Sequence, residues 1–323
     1  MKLGVVIIGR NEGERLKKCI ESSIYPNAPY IYVDSGSVDG SVKLASALGA
    51  DVLSMDEATP FTAARARNAG YQRLLELEPA VEYVQFVDGD CELFPKWLST
   101  SVAFLDAHPE IGAVCGRLHE RYPERSVYNL LCDLEWDSAL GEIQTSGGNV
   151  LMRVAAFRQS DGFRTDLIAG EEPELCMRLR ANGWRIWRLD TDMAWHDAAM
   201  TRFGQWWTRA VRAGHAYAQG AYLHGAGRER YAVRESRRAL LWGLGLPLAT
   251  AALVGLWGVL GLVIVAIYPL QIARLALHAK PGARARWTRA AFLVLGKFPE
   301  AQGNLKFLFH RVFDTAPRII EYK

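Results

Sequence analysis

Val81-Glu82-Tyr83-Val84-Gln85-Phe86-Val87-Asp88-Gly89-Asp90 decides how the rest of this 323-residue chain is read. Its first seven residues are mostly β-branched or aromatic, the composition of a buried strand, and the run stops at Asp-Gly-Asp. Two carboxylates therefore leave a strand tip on either side of a glycine. Oxygen donors of this kind suit Mg²⁺ or Mn²⁺, which proteins usually hold by one or two carboxylates together with substrate phosphates. An ordinary Asx-type turn uses the same residues, so the tripeptide alone leaves both readings open.

Working back to the N-terminus, Val5 to Ile8 is a continuous apolar run, as expected for a parallel strand covered on both faces. The turn Gly9-Arg10-Asn11-Glu12 follows, then a helical pattern from Glu14 with Leu16, Ile20 and Ile24 on one face. Tyr30 to Val33 reads as a second strand closed by Asp34-Ser35-Gly36-Ser37-Val38-Asp39-Gly40, Val42 to Leu48 as a helix and Asp51 to Ser54 as a short strand. Strands alternating with helices predict an open, mostly parallel α/β sheet. In such sheets ligands bind beyond the carboxyl ends of the strands, which would bring Asp34, Asp88 and Asp90 to one crevice. Turn formation and helix capping are the alternative for both Asp34 and Asp39, and a stronger one for Asp39. No Gly-x-Gly-x-x-Gly follows the first strand and no Gly-x-x-x-x-Gly-Lys-Ser/Thr loop occurs, which disfavours dinucleotide dehydrogenases and P-loop enzymes.

Downstream, Phe61 to Gly70 opens a helix in which Arg67 can hold an anion or simply face solvent. Glu92 to His108 is expected to be mostly helix, Ile111 to Leu118 a strand, and Tyr122 to Leu140 an amphipathic helix rich in Tyr and Trp. Ser146-Gly147-Gly148-Asn149 precedes the strand Val150 to Met152, and adjacent glycines permit close approach of backbone to a ligand. Gly170 to Arg180 places three glutamates about the first turn of a helix with Pro173 at its start, where capping explains them as well as chemistry does. Trp184 to Leu189 and Met193 to His196 are two further strand candidates.

Taken together, Val5-Val6-Ile7-Ile8-Gly9-Arg10-Asn11-Glu12, Val33-Asp34-Ser35-Gly36-Ser37-x-Asp39-Gly40, Ala66-Arg67-Asn68-x-Gly70 and Asp88-Gly89-Asp90 resemble, in order and spacing, family 2 glycosyltransferases over roughly the first 200 residues. The resemblance implies a GT-A (Rossmann-like) fold and inverting transfer from a nucleotide sugar. It implies that Asn11, Glu12, Asp34 and Arg67 line the nucleoside pocket, that Asp88 lies near ribose and diphosphate, and that Gly148 and Asn149 lie near the donor sugar. Asp90 would hold a divalent metal, Mg²⁺ or Mn²⁺, with His196 as a second ligand. The family's Glu-Asp pair, whose second member is the catalytic base, maps onto Glu171-Glu172, so Glu172 is the implied base with Glu standing for Asp. Asp34-Ser35 stands where two consecutive aspartates are common. The donor favoured is a UDP-sugar. Gln205-Trp206-Trp207-Thr208-Arg209 departs from the Gln-x-x-Arg-Trp signature of processive synthases.

The C-terminal third has a different character. No residue from Ala239 to Ala273 is charged, and Arg237, Arg238 and Arg274 bracket the run. One helix over it would extend about 52 Å, well beyond a hydrocarbon core of about 30 Å. A hairpin of two short helices turning within Gly255 to Gly261 fits better, because it returns both basic flanks to one side. A single span would place Lys280, Arg284, Arg286 and Arg289 on the opposite side. A re-entrant or interfacial hairpin, and a soluble helical bundle, remain as alternatives. The expected layout is a catalytic domain over 1–235, a hydrophobic hairpin over 236–280 and a basic amphipathic segment over 281–323.

Composition sets the outer limits. Five scattered cysteines without Cys-x-x-Cys spacing suggest a reducing compartment and neither a disulfide framework nor a zinc site. The first apolar run is too short for a signal peptide, so the catalytic part is expected on the cytoplasmic side of an inner or cytoplasmic membrane. A net charge of +3 argues against nucleic acid as a partner. The expected partners are the nucleotide sugar, a lipid-linked or saccharide acceptor, and membrane lipids. A sugar-phosphate nucleotidyltransferase and a non-catalytic nucleotide-sugar-binding membrane protein are the two other readings.

Overall fold

The computed structural model describes residues 2–56, 60–279 and 283–313. Lys280, the first two residues of the 281–323 segment and its last ten therefore lie outside the described residues. The chain divides into two compact units, one formed by residues 1–167 and 171–201, the other by 168–170 and 202–323. Helix Phe203–His224, counted with the catalytic domain on sequence, belongs to the second unit.

The first unit runs β1 (Leu3–Gly9), α1 (Glu14–Ser23), β2 (Tyr30–Asp34), α2 (Ser41–Ala47), β3 (Asp51–Ser54), α3 (Ala63–Leu77) and β4 (Tyr83–Asp88). It continues with β5 (Cys91–Leu93), α4 (Trp97–Ala107), β6 (Ile111–Glu120), α5 (Val127–Trp136), β7 (Gly141–Glu142) and β8 (Val150–Arg153). It closes with α6 (Val154–Gln159), α7 (Glu171–Ala181) and β9 (Arg185–His196). One sheet holds these strands in the order β3-β2-β1-β4-β8-β6-β9-β5, with β7 on β9. The β3-β2-β1-β4 half is parallel, and β8 runs antiparallel to both its neighbours. Strand β1 is buried along nearly its whole length, as the continuous Val5 to Ile8 run requires. Gly70 lets α3 settle against β1 and β2: a Cβ there would sit 2.4 Å from Val6 Cγ1.

Three local outcomes differ from the sequence reading. Glu92 and Leu93 are strand, not helix, because their backbone pairs with Trp195 and Ala194 of β9; Pro95 keeps Phe94 extended, and the helix starts at Trp97. The two expected strands over 184–196 are one twelve-residue strand. Its polar middle, Asp190-Thr191-Asp192, resembles a turn but passes Gly116 of β6 through shifts in register, and a Cβ on Gly116 would lie 2.5 Å from Thr191 O. Helix α7 starts at Glu171, two residues ahead of Pro173. Proline is tolerated there because first-turn N–H groups have no intrahelical acceptor.

The second unit is helical: α8 (Phe203–His224), α9 (Val233–Leu240), a π-helical turn, α10 (Leu246–Trp257), a 3₁₀ segment Gly258–Ala266, α11 (Ile267–His278), α12 (Arg286–Leu295) and α13 (Lys297–Val312). Helices α8 and α13 cross at paired glycines, where a Cβ on either Gly214 or Gly303 would come 2.0 Å from a carbonyl of the other helix. Buried Asn304 bonds Gly214 O at 3.0 Å and Ser236 Oγ at 2.5 Å, which joins α9 to this crossing. By length and composition Val233–His278 is apolar enough to cross a membrane: its 18-residue apolar window has a mean hydropathy of 2.4 and is only 6 % buried. Its backbone nevertheless reverses at Gly258 (φ +59°), inside the Gly255 to Gly261 turn expected from sequence.

Candidate active site

The turns after β1 and β2 are stitched together. Asn11, at φ +56°, donates its N–H to Ser37 Oγ (2.9 Å), and its Oδ1 accepts from Val38 N (2.8 Å). Buried Asp34 accepts from Tyr32 Oη (2.9 Å), Gly36 N (3.0 Å) and Ser37 N (2.8 Å). Asp34 thus organises its own turn, and a carboxylate with three donors retains capacity for about one more. Glu12 pairs with Arg15 at 2.7 Å beside Gly89, whose bare Cα lets the β4 tip approach β1.

Beyond the β4 tip lies a buried charge cluster. The Arg67 guanidinium, 2 % exposed, reaches Asp88 Oδ1 (2.8 Å), Glu171 Oε1 (3.2 Å) and Glu172 Oε1 (3.1 Å). Burial works against its charge, yet Asp88, Glu172 and Glu171 together hold its pKa above the ordinary value. Asn149, also buried, accepts from Asp88 N (3.0 Å) and donates to Asp88 Oδ2 (3.4 Å). Gly148 makes the cluster sterically feasible, since a Cβ there would fall 1.9 Å from Arg67 Nη2 and 3.1 Å from Glu172 Oε1. Burial and the Glu171 carboxylate push Glu172 up to about 7 despite the opposing pull of Arg67. Its side chain is still 21 % exposed, so a proton can exchange with the cleft.

Asp90 faces elsewhere. Its Oδ2 lies 3.2 Å from His196 Nε2 and its Oδ1 3.7 Å from Cys91 Sγ. The backbone dictates this grouping because Cys91 of β5 stands opposite His196 of β9. His196 stacks on Trp136, with ring centroids 4.6 Å apart and planes at 18°, and its buried Nδ1 has no hydrogen-bond partner. The Asp90 carboxylate and His196 Nε2 side by side, with the Cys91 thiol beside them, fit a divalent cation that completes its shell with water and phosphate oxygens. Across β6, Glu120 is buried and its pKa raised by that burial; it accepts from Tyr122 N, Asn129 Nδ2 and Ala198 N, fixing the loop that follows His196.

The structure therefore brings Arg67, Asp88, Gly148, Asn149 and Glu172 into one network, Asp90 and His196 into a second, and Asn11 and Asp34 into paired turns. Sequence reasoning did not assign roles to Glu171, Cys91, Trp136 or Glu120. Glu171 was visible as the partner of Glu172 in the acidic cluster; Trp136 and Cys91 carry no motif and emerge only from strand pairing and ring contact.

Residues 4–159 match the model of glycosyl transferase family 2. That stretch, a little under half of the chain, is similar to that family. It is 26 % identical over 212 residues to the succinoglycan biosynthesis protein ExoA of Rhizobium meliloti (strain 1021), covering 60 % of this chain and 63 % of that protein. The chain thus aligns with less than two thirds of that relative's length. Among solved structures, a Pyrobaculum calidifontis mannosyltransferase in complex with GDP-Man and Mn²⁺ superposes with a TM-score of 0.64 at 21 % identity, over 94 % of this chain and 87 % of that one. S. aureus TarS superposes with a TM-score of 0.55 at 16 % identity, over 94 % of this chain and 55 % of that one. At these identities the superpositions establish the GT-A fold.

Proposed function

We propose that the protein transfers a sugar from a nucleoside-diphosphate sugar to an acceptor hydroxyl, with inversion at the anomeric carbon, at a membrane surface. The observation that carries this reading is Glu172, a carboxylate raised to about 7 and held 3.1 Å from an arginine that also grips Asp88 at the β4 tip. A base is most effective when its pKa lies near the working pH. As the acceptor oxygen bonds to the anomeric carbon, Glu172 takes its proton, and the bond to the β-phosphate oxygen breaks with its electrons leaving on the diphosphate. Arg67 keeps Glu172 and Asp88 in place and does not itself react. A Mg²⁺ or Mn²⁺ ion held by Asp90 and His196 would supply positive charge to that leaving group. Asn11, Glu12 and Asp34 shape the nucleoside side, and Gly148 and Asn149 the sugar side.

For the base we favour uracil, whose imide N–H suits an acceptor-only carboxylate such as Asp34. For the acceptor, the apolar second unit supports a lipid-linked saccharide, and the relative involved in succinoglycan biosynthesis is consistent with it. The test is release of nucleoside diphosphate from UDP-, GDP- and dTDP-sugars in the presence of membrane lipid extract, with Mn²⁺, Mg²⁺ or EDTA. Glu172→Gln is expected to lower transfer about 10²–10⁴-fold while donor affinity stays close to wild type. Wild-type turnover in that variant would refute the assignment. Because the base must be deprotonated, kcat/KM should fall about tenfold per pH unit below pH 7 and level off above it.

A further inference from the structure

The apolar run of the second unit has its own geometry. Helix α10 points away from its base and ends at Trp257; Gly258 then takes φ +59° and the 3₁₀ segment folds back along α10. The fold-back is intimate: a Cβ on Gly261 would lie 2.3 Å from Val254 N and 2.4 Å from the Leu253 carbonyl carbon. At the base, Tyr268 Oη donates to Trp242 O at 2.8 Å, so the outgoing and returning arms start and finish side by side. The tip is all apolar and in the open, with Leu256 74 %, Trp257 64 %, Val259 76 %, Leu260 74 % and Val263 73 % exposed.

Arm length and charge decide what covers it. Counted from the flanking arginines, the outgoing helical arm Ala239 to Trp257 rises about 28 Å and the returning arm Gly258 to Ala273 about 28 Å, so a tip without a single polar side chain comes to rest inside a hydrocarbon core of about 30 Å and not in the water beyond it. Arg234, Arg237, Arg238 and Arg274 flank the base, exposed and without a carboxylate partner among the described residues, which complements anionic lipid headgroups. Exposed apolar surface of this size at one end with unpaired arginines at the other matches a bilayer and not a protein partner of mixed polarity.

We infer that this hairpin is re-entrant: it enters and leaves a phospholipid bilayer through one face, anchoring the chain without crossing the membrane. The inference rests on the membrane-surface reading above and specifies its topology. In this topology Arg237 and Arg274 share one aqueous side, whereas a single span would separate them.

All five native cysteines are buried, so introduced ones can be labelled selectively. The experiment expresses Arg237→Cys, Arg274→Cys and Leu260→Cys in the full chain and treats inverted and right-side-out membrane vesicles with a membrane-impermeant maleimide. The expected result is that residues 237 and 274 react in the same vesicle orientation only, and residue 260 in neither until detergent is added. Reaction of 237 and 274 in opposite orientations would overturn the re-entrant topology while leaving membrane attachment intact, as would reaction at 260 in sealed vesicles. Silence at 237 or 274 in both orientations also overturns it, since both are placed in water. Recovery of the chain entirely outside the membrane fraction would instead refute the membrane-surface reading itself.

Discussion

Asp88 and Asp90 are separated by one glycine, yet they live in opposite chemistries. Asp88 belongs to a network built on a buried guanidinium, in which Arg67 reaches Asp88, Glu171 and Glu172, Asn149 bonds Asp88, and Gly148 leaves room for the arginine. Asp90 belongs to a second, where its buried carboxylate meets Nε2 of a histidine stacked on Trp136. The first arrangement bears on a proton, because burial and then the Glu171 carboxylate raise the pKa of Glu172 against the pull of Arg67. On the function proposed above, the second would take the cation. A three-residue motif is thus two half-sites, and the direction each carboxylate takes matters more than their spacing.

Removing Arg67 gives the most forceful test of that division. Arg67→Met would leave three carboxylates around an uncompensated cavity, and breaking a buried ion pair costs about 3–5 kcal/mol. Chemical denaturation should show this loss to be larger at pH 8 than at pH 5, where protonation relieves the repulsion. Binding of Mn²⁺, followed by its paramagnetic effect on water relaxation, should survive in whatever folded fraction remains. Loss of Mn²⁺ binding equal to that of Asp90→Asn in folded protein would mean that the two half-sites are one.

Asp90→Asn addresses the other side. Loss of even a supporting residue around a metal weakens binding about 10–100-fold, so loss of a direct ligand should weaken Mn²⁺ by at least that much. His196→Gln should follow in the same direction, and neither should change the midpoint of the pH profile near 7. A smaller effect is expected from Gly148→Ala. Its Cβ would overlap Arg67 Nη2, and such overpacking costs about 1–3 kcal/mol, with a displaced Arg67 shifting the pH profile. An unchanged thermal midpoint and profile would show that the network is looser than its distances indicate.

Legibility from sequence followed the same division. Parallel strands β1, β2 and β4 and their turns could be read because each is a β-branched or aromatic run, broken in β4 by Gln85 alone, that ends in Gly or Asp, where local chemistry decides the outcome. Motif order assigned Arg67 to the nucleoside pocket, and its engagement of three carboxylates could not be read, since Glu171 and Glu172 lie more than one hundred residues away in the chain. The antiparallel half was harder. Glu92-Leu93 looks helical until β9 captures its backbone, and Asp190-Thr191-Asp192 looks like a turn until Gly116 makes room for it. Cys91 and Trp136 were invisible for the same reason, because cross-strand pairing and ring stacking are long-range facts. The hairpin turn, by contrast, was marked by its own glycines.

The least conspicuous consequence of the proton half-site concerns stability. Glu172 ordinarily titrates near 4.5 and is raised to about 7 in the fold, so between those values the native state holds a proton that the unfolded chain releases. Stability therefore falls as pH rises through that window, and the whole penalty is present above pH 7. Glu172→Gln keeps an oxygen for Arg67 but carries no charge to desolvate. The variant should match wild type at pH 5 and exceed it at pH 8 by on the order of 1 kcal/mol, read as a shift in denaturation midpoint. A gain at high pH combined with lost transfer would show that the fold tolerates this carboxylate for its chemistry. An equal or lower midpoint at pH 8 would mean that Arg67 stabilises the ionised form fully, and that the base titrates well below neutrality.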